Sequence, residues 1–374
     1  MAKLLFVSSI HINLHFRLGL METLLRENHE VTAAAALDGG EVRLQERGIR
    51  CHSLTRIQRG GMDPRAELRC LGELYRLYRR ERPEVILHYT VKPNIYGSLA
   101  AALAGIPSLS TISGAGYSFM QEGFLSRLVG GLYKLALRFP ARVFFQNADD
   151  RDFFLARGLV QEDKTATVPG SGVNLDHYSP RHCSGGEKAD KEAMVFLFVG
   201  RLLWDKGIGE FAAAAGRVRR SFPQTEFWVL GRMDPGNPAG VPEETFRGWI
   251  KEGTIRHLGY VQEVRPILCD SDVVVLPSYR EGIPRSMLEA MAMGKPIITT
   301  DGIGCREVIE DGKNGLMVPV QDTGALAAAM VKMIDLGEER RREMGRYGRR
   351  KAVREFDEKL VIQAYMKEIK RILG

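Results

Sequence analysis

Cysteine is scarce and unpatterned in this chain of 374 residues: Cys51, Cys70, Cys183, Cys269 and Cys305 are odd in number and form no C-x-x-C pair. Neither a disulfide framework nor a cysteine zinc site is expected, and a reducing cytosol is the simpler setting. Long apolar runs are missing too. No stretch of about 18 apolar residues occurs, and the opening "MAKLLFVSSIHINLHF" has too short an apolar core for a signal peptide. The chain is expected neither to span a membrane nor to be exported. No repeat below domain size and no low-complexity tract appears, and 44% hydrophobic with 26% charged residues describes an ordinary globular protein rather than a disordered one.

What is present is a cationic balance and a regular alternation of apolar runs. The net charge of +7 and a pI near 9.1 favour an anionic partner, and charge alone does not choose among a nucleotide, a phospholipid surface and a nucleic acid. No aromatic-basic module marks nucleic acid, which is not expected. The length suits two domains. "KLLFVSS", "VTAAAAL", "EVILHYT", "SLSTIS" and "RVFFQN" read as buried strands between helical segments such as "RLGLMETLLRENH". Between Val168 and Ala193 the pattern gives way to Gly, Pro, Ser and charge. A second alternation follows through "MVFLFVG", "TEFWVLG", "IRHLGYV", "DVVVLPS", "PIITTD" and "GLMVPV". This predicts an α/β fold with two doubly wound parallel sheets: a first domain over 1–170, a linker over 171–193, a second domain over 194–355 and a terminal helix over 356–374, able to pack back on the first domain. The last segment, "EERRREMGRYGRRKAVREFDEKLVIQAYMKEIKRIL", is helical and heavily charged and is expected to be a solvated helical face.

Two groups of residues carry chemistry. In "SYREGIPRSMLEAMAMGKPIITTD" the strand "DVVVLPS" delivers Glu281 on a Gly-Ile-Pro turn, and Glu289 comes eight residues later. At about 100° per residue, a continuous helix would bring the two carboxylates within roughly 80° of each other. The amides of Gly282 and Ile283 are placed to hold sugar or phosphate oxygens, and Pro284 suits the first turn of the next helix. Glu289 is a candidate for the two hydroxyls of a ribose. Taken alone, Glu281 is better explained by the positive helix end and Glu289 by solvation. In "VGRLLWDKG", however, Arg201 and Lys206 sit five residues apart after a strand, a pair suited to a diphosphate. Together these four describe a site for a sugar, a diphosphate and a ribose in sequence.

The G-R-x-x-x-x-K-G motif, the E-G-x-P-x-x-x-L-E-A-M-A-x-G-x-P segment and "VPGSGVN" resemble the retaining glycosyltransferases of family 4 over the whole chain. That resemblance implies two Rossmann-like domains facing a cleft, the GT-B type. "HFRLGL", "YTVKPNIYGSLAA", "SGAGYSFMQEGF" and "GIGCREVIEDG" are similar to bacterial enzymes that add N-acetylgalactosamine or a related sugar to a polyprenyl-diphosphate-linked acceptor. The resemblance implies that Arg201 and Lys206 bind the diphosphate of a UDP-sugar, Glu281 its sugar with Gly282, Ile283 and Pro284, Glu289 its ribose, and Gly259, Tyr260 and Val261 its base. No cofactor is implied, and no Asp-x-Asp motif marks a donor-side metal. Lys92, Asn94, Arg17, His15 and Tyr117 are the acceptor candidates. His11 and His15 are spaced i, i+4, but no Glu follows His11, so packing or acceptor contact is expected rather than metal binding. Mannosyl-transferring relatives place a His after a first-domain strand where this chain has Ser113.

Gly123 to Arg142 interleaves Phe124, Leu125, Leu128, Leu132, Leu135 and Phe139 with Arg127, Lys134, Arg138 and Arg142. This is a core helix or an interfacial one, and a polyprenyl acceptor favours peripheral contact with an anionic membrane at its inner, cytoplasmic face. The alternatives are a non-hydrolysing nucleotide-sugar epimerase, whose acid-base residues are not apparent, and a non-catalytic nucleotide-sugar or lipid-binding scaffold.

Overall fold

A computed structural model describes residues 1–57, 63–114, 123–183, 193–234 and 236–374, with Phe124 and Leu125 described in the backbone only. The chain divides into two units: Met1–Ser171 with Glu358–Gly374, and Gly172–Asp357.

In the first unit, strands β1 (Lys3–Ile10), β2 (Glu30–Ala36), β3 (Arg50–Ser53), β4 (Val85–Tyr89), β5 (Ser108–Ile112), β6 (Arg142–Phe145) and β7 (Thr165–Thr167) form one sheet in the order β3-β2-β1-β4-β5-β6-β7. All six pairings are parallel. The central strands are buried on both faces because helices cover both, which removes the alternation of buried and exposed positions that a one-sided sheet would show. β4, for example, is buried at every position of "VILHY". The helix Glu358–Leu373 completes this core. Its fully buried Tyr365 stacks on Phe144 with ring centroids 4.2 Å apart, and its hydroxyl meets Thr111 Oγ1 at 2.6 Å.

The second unit carries β8 (Val195–Val199), β9 (Glu226–Leu230), β10 (Arg256–His257), β11 (Val273–Leu276), β12 (Ile297–Thr300) and β13 (Gly315–Val318) in the order β10-β9-β8-β11-β12-β13, also all parallel. Both sheets are therefore doubly wound, as expected from the alternation. The strand order reverses between β1 and β4 in the first and between β8 and β11 in the second, and it is at such a switch point that open α/β sheets bind ligands.

Three expectations are corrected. Cys183 and Cys269 form a disulfide, with Cα atoms 5.3 Å apart across 86 residues of sequence; the spacing hides it because only the tertiary fold brings them together. Residues 172–183 belong to the second unit rather than to a linker. Val173 lies wholly inside that unit's core. Arg349 donates to the carbonyls of Leu175 (3.0 Å) and Tyr178 (2.6 Å), and Arg265 donates to that of His177 (3.3 Å). The last segment, read as a solvated face, forms two helices that both pack inward: Gly337–Glu355 buries Met344, Gly345, Gly348, Lys351 and Ala352, and Glu358–Leu373 buries Val361, Tyr365, Met366, Glu368 and Ile369.

Candidate active site

At the β8/β11 switch point two loops are locked together by backbone. Gly207 has φ +73°, and a Cβ there would stand 2.0 Å from the Pro277 carbonyl oxygen, so only glycine permits the approach. The Asp205 carbonyl then accepts from Tyr279 N (2.9 Å) and Ser278 Oγ (3.1 Å). With its neighbour pinned in this way, Lys206 meets Glu281: Nζ to Oε1 is 2.6 Å, with the side chains 15% and 17% exposed. A third loop supports Glu281 from β12. Its amide donates to Ile303 O (2.8 Å), and a Cβ on Gly304 would lie 2.3 Å from the Glu281 carbonyl oxygen. Cys305 follows, buried, with its thiol pushed up to about 12 by burial first and then by the Glu281 charge, which disfavours the thiolate.

Arg201 ends the same β8 turn, exposed and paired with Asp234 at 3.2 Å. Gly282, Ile283 and Pro284 are buried at the start of the helix Arg285–Ala292. Glu281 stands in the loop before that helix, so the common helical face inferred from an eight-residue spacing does not apply. Glu289 is on the helix, 9% exposed, with Oε1 accepting from Arg285 Nε at 2.8 Å. Arg285 also donates to Gly172 O at 3.2 Å. Tyr178 faces the same pair: burial first, and then the Glu289 carboxylate, push its phenol well above the usual range. Segment 172–183 thus covers Glu289.

At the ends of β9 and β10, Gly259 has φ +74° and its carbonyl accepts from Gly231 N at 2.9 Å. Tyr260 is exposed beneath the Arg232 guanidinium, 3.5 Å from the ring centroid, and Val261 is partly buried beside it. Arg232, Asp234, Arg285 and Tyr178 were not singled out in the sequence. Arg232 follows a strand end and was legible by that signal, whereas the others depend on tertiary partners.

In the first unit the candidates scatter into different roles. Asn94 is corrected. It is buried, its Nδ2 donates to Thr111 O (2.7 Å) and its Oδ1 accepts from Thr111 N (3.2 Å), so both ends of the amide clamp β5. Lys92 is held by Glu67 at 2.6 Å in a mostly buried pair rather than standing open on a loop. His15 Nε2 lies 2.6 Å from Gly40 O, and burial lowers its pKa. His11, Asp38 and Glu41 offer three ligand atoms within 4.8 Å of one another. The Asp38 oxygens already accept from Ile12 N (3.1 Å) and Gly40 N (3.0 Å), and His11 Nδ1 faces Ala36 O at 3.1 Å. These groups fasten the turn after β2 to the segment after β1. Arg17 is 7% exposed, 4.9 Å over the Tyr89 ring, with no carboxylate at ion-pair distance among the described residues. It remains at the switch-point end of β1 as an uncompensated cation. Ser113 is exposed just after β5. Tyr117 lies outside the described residues.

A doubly wound unit that gathers a Lys–Glu pair, an Arg and a helix start at its switch point has the form of a ligand site of open α/β sheets. Residues 16–170 match the family model for the glycosyl transferase 4-like domain and residues 193–335 that for glycosyl transferases group 1. The chain belongs to this glycosyltransferase family. It is 27% identical, over 96% of each chain, to the N,N'-diacetylbacillosaminyl-diphospho-undecaprenol alpha-1,3-N-acetylgalactosaminyltransferase of Campylobacter jejuni. It is 26% identical to the Escherichia coli UDP-Gal:alpha-D-GlcNAc-diphosphoundecaprenol alpha-1,3-galactosyltransferase, over 72% of this chain and 71% of that one. Among solved structures, Anabaena HepE in complex with UDP and glucose superposes with a TM-score of 0.81 at 18% identity, covering 99% of this chain and all of that one. Sucrose-phosphate synthase from Thermosynechococcus elongatus superposes at 0.80 and 19%, covering 100% and 99%. Both likenesses concern the fold, which is of the GT-B type.

Proposed function

We propose that this glycosyltransferase moves N-acetylgalactosamine, or a related N-acetylhexosamine, from a UDP-sugar to a polyprenyl-diphosphate-linked sugar with retention at the anomeric carbon. The observation that carries the reading is the Lys206–Glu281 pair at the β8/β11 switch point, in a chain similar end to end to the Campylobacter enzyme. In this mechanism Lys206 and Arg201 take the donor diphosphate, and Arg201 turns to it from Asp234. Glu281 takes sugar hydroxyls, Glu289 the ribose and Gly259–Val261 the base. The acceptor hydroxyl attacks the anomeric carbon on the face from which the diphosphate departs. The C1–oxygen bond to the diphosphate breaks, the bond to the acceptor oxygen forms, and the acceptor proton passes to the leaving diphosphate. The chain's contribution is charge stabilisation and alignment rather than a nucleophile. Arg17 is the cation proposed for the acceptor diphosphate.

A screen of nucleotide sugars for nucleotide release, with a polyprenyl-diphosphate sugar present or absent, tests this directly. UDP-N-acetylhexosamine should react only with the acceptor present, and NMR of the product should show the donor's anomeric configuration. Sugar interconversion without acceptor, or an inverted product, overturns the reading. Activity is also expected to persist in chelator, because Arg201 and Lys206 supply the positive charge. Loss restored by magnesium or manganese overturns that expectation.

The enzyme is further proposed to dock on an anionic membrane surface. Among the described residues no helix is long and apolar enough to cross a membrane. The helix Phe124–Ala136 buries Val129, Tyr133 and Ala136, while Leu128 and Leu135, with Phe139 just beyond, are exposed beside Arg127, Lys134 and Arg138. Arg142 leaves this set because it pairs with Glu368 at 3.3 Å. Cations near such a surface contribute about 1 kcal/mol each, and inserted apolar side chains add a part that salt does not screen. Anionic liposomes should co-sediment the protein, less so as salt rises. Changing Arg127, Lys134 and Arg138 to Glu should remove most binding, and Leu128→Ser with Leu135→Ser should weaken it even at low salt. Activity on a short, water-soluble acceptor should survive in both variants. Wild-type protein that ignores the liposomes defeats the docking claim.

A further inference from the structure

The second unit holds a concavity of about 450 Å³ on its helical layer, within the size range of small-molecule sites. Two of the three tryptophans wall it: Trp204, 37% exposed, and Trp249 meet edge to face with centroids 6.1 Å apart and planes at 87°. The floor is the helix Ile208–Ser221, where Gly209, Ala213 and Gly216 share one face and leave room above it. Gly209 also seats the indole, since a Cβ there would come within 2.8 Å of the Trp204 ring. Glu210, Glu252, Thr254 and Thr323 supply the polar part of the lining. Glu210 Oε1 accepts from Tyr279 Oη at 2.6 Å, whereas Oε2 is shielded from solvent with no hydrogen-bond partner.

No cation lines this concavity among the described residues, and its two carboxylates repel phosphate, so a nucleotide is not its ligand. Indole faces accept a flat apolar surface, and carboxylates accept hydroxyl donors. A pyranose offers both, with C–H groups on one face and hydroxyls around its rim. We propose that this concavity is a saccharide-binding site separate from the switch-point site, taking one pyranose residue of a neutral glycan. The proposal goes beyond the transferase reading and stands on its own residues. Two connections join the sites. Trp204 lies on the same short turn as Lys206, and Glu210 bonds Tyr279, two residues before Glu281. An occupied concavity therefore braces both loops that carry the Lys206–Glu281 pair.

The test is a titration of the full chain with free N-acetylgalactosamine and N-acetylglucosamine, read by tryptophan fluorescence and saturation-transfer NMR, with and without saturating UDP. Saturable binding in the millimolar range, retained in saturating UDP, is expected. Ala213→Gln, which fills the floor from an exposed position, and Trp249→Leu should each weaken it at least about tenfold. UDP affinity should stay unchanged in both, with thermal unfolding confirming that Ala213→Gln folds. No saturable response to either sugar, or a response that survives Ala213→Gln, overturns the proposal. A response that UDP abolishes assigns the sugar to the donor site, and stronger binding of choline marks a cation cage. Both overturn it too. Since UDP binding is read separately, failure here leaves the donor-site reading to its own evidence.

Discussion

Glu281→Gln and Lys206→Ala, each assayed on UDP-N-acetylhexosamine and a polyprenyl-diphosphate sugar, are expected to lower kcat by at least about tenfold. The two charges face each other at 2.6 Å in a mostly buried position, where solvent screens them less than on the open surface. In the proposed mechanism, the departing diphosphate loses a cation without Lys206 and meets an uncompensated Glu281. In the same mechanism, without the Glu281 charge Lys206 loses the ion-pair partner that orients it, and the donor sugar is left with one neutral acceptor oxygen in place of a carboxylate. The effects should not add. Residues in direct contact show couplings of about 0.5–3 kcal/mol, so the double variant should be less impaired than the product of the single losses. Circular dichroism must show folded protein, because breaking a desolvated pair also costs stability. Full activity in both folded single variants removes Lys206 and Glu281 from the site.

Reduction of the Cys183–Cys269 disulfide is expected to have the second largest effect. It closes a loop across 86 residues, and the chain-entropy model assigns such a cross-link about 4–5 kcal/mol. Chemical denaturation should therefore show the transition of the second unit moving to lower denaturant when dithiothreitol is added, or when both cysteines are changed to Ser. The transition of the first unit should stay in place as an internal control. The other thiols do not complicate the result, since burial pushes Cys51 up to about 11 and Cys70 to about 12. Function should follow stability: segment 172–183 carries Tyr178 and the Gly172 carbonyl that hold the Arg285–Glu289 pair, so KM for the UDP-sugar should rise on reduction while kcat changes less. A denaturation profile indifferent to reductant overturns the cross-link's role.

The parts legible in sequence were those whose physics is local. Doubly covered strands such as "VILHY" and "VVVL" are buried at every position and mostly apolar, and a ligand turn advertises itself by Gly and Pro after such a strand. β3 and β7 escaped notice because they are short edge strands with no residue fully buried, so they carry little apolar pattern. The Glu281 turn and the Lys206 turn were each readable, but their contact was not; it depends on Gly207 pressing against Pro277, a constraint that no spacing encodes. Asn94 was misread because a polar residue after a strand looks alike whether it faces a ligand or clamps a neighbouring strand. The disulfide was misread because counting cysteines ignores which two the fold brings together.

The helix Glu358–Leu373 bears on how the protein is made. Its Val361, Tyr365, Met366 and Ile369 belong to the same core cluster as Leu4, Phe6 and Leu109. A ribosome delivers the first 171 residues long before this helix, so the first sheet waits with part of one face uncovered while all of Gly172–Asp357 is synthesised. The second unit has no such wait, because its whole segment is contiguous and can fold as it emerges. The first unit's core is thus the one that depends on the last segment of chain to be made, whereas the second unit needs nothing beyond its own contiguous segment.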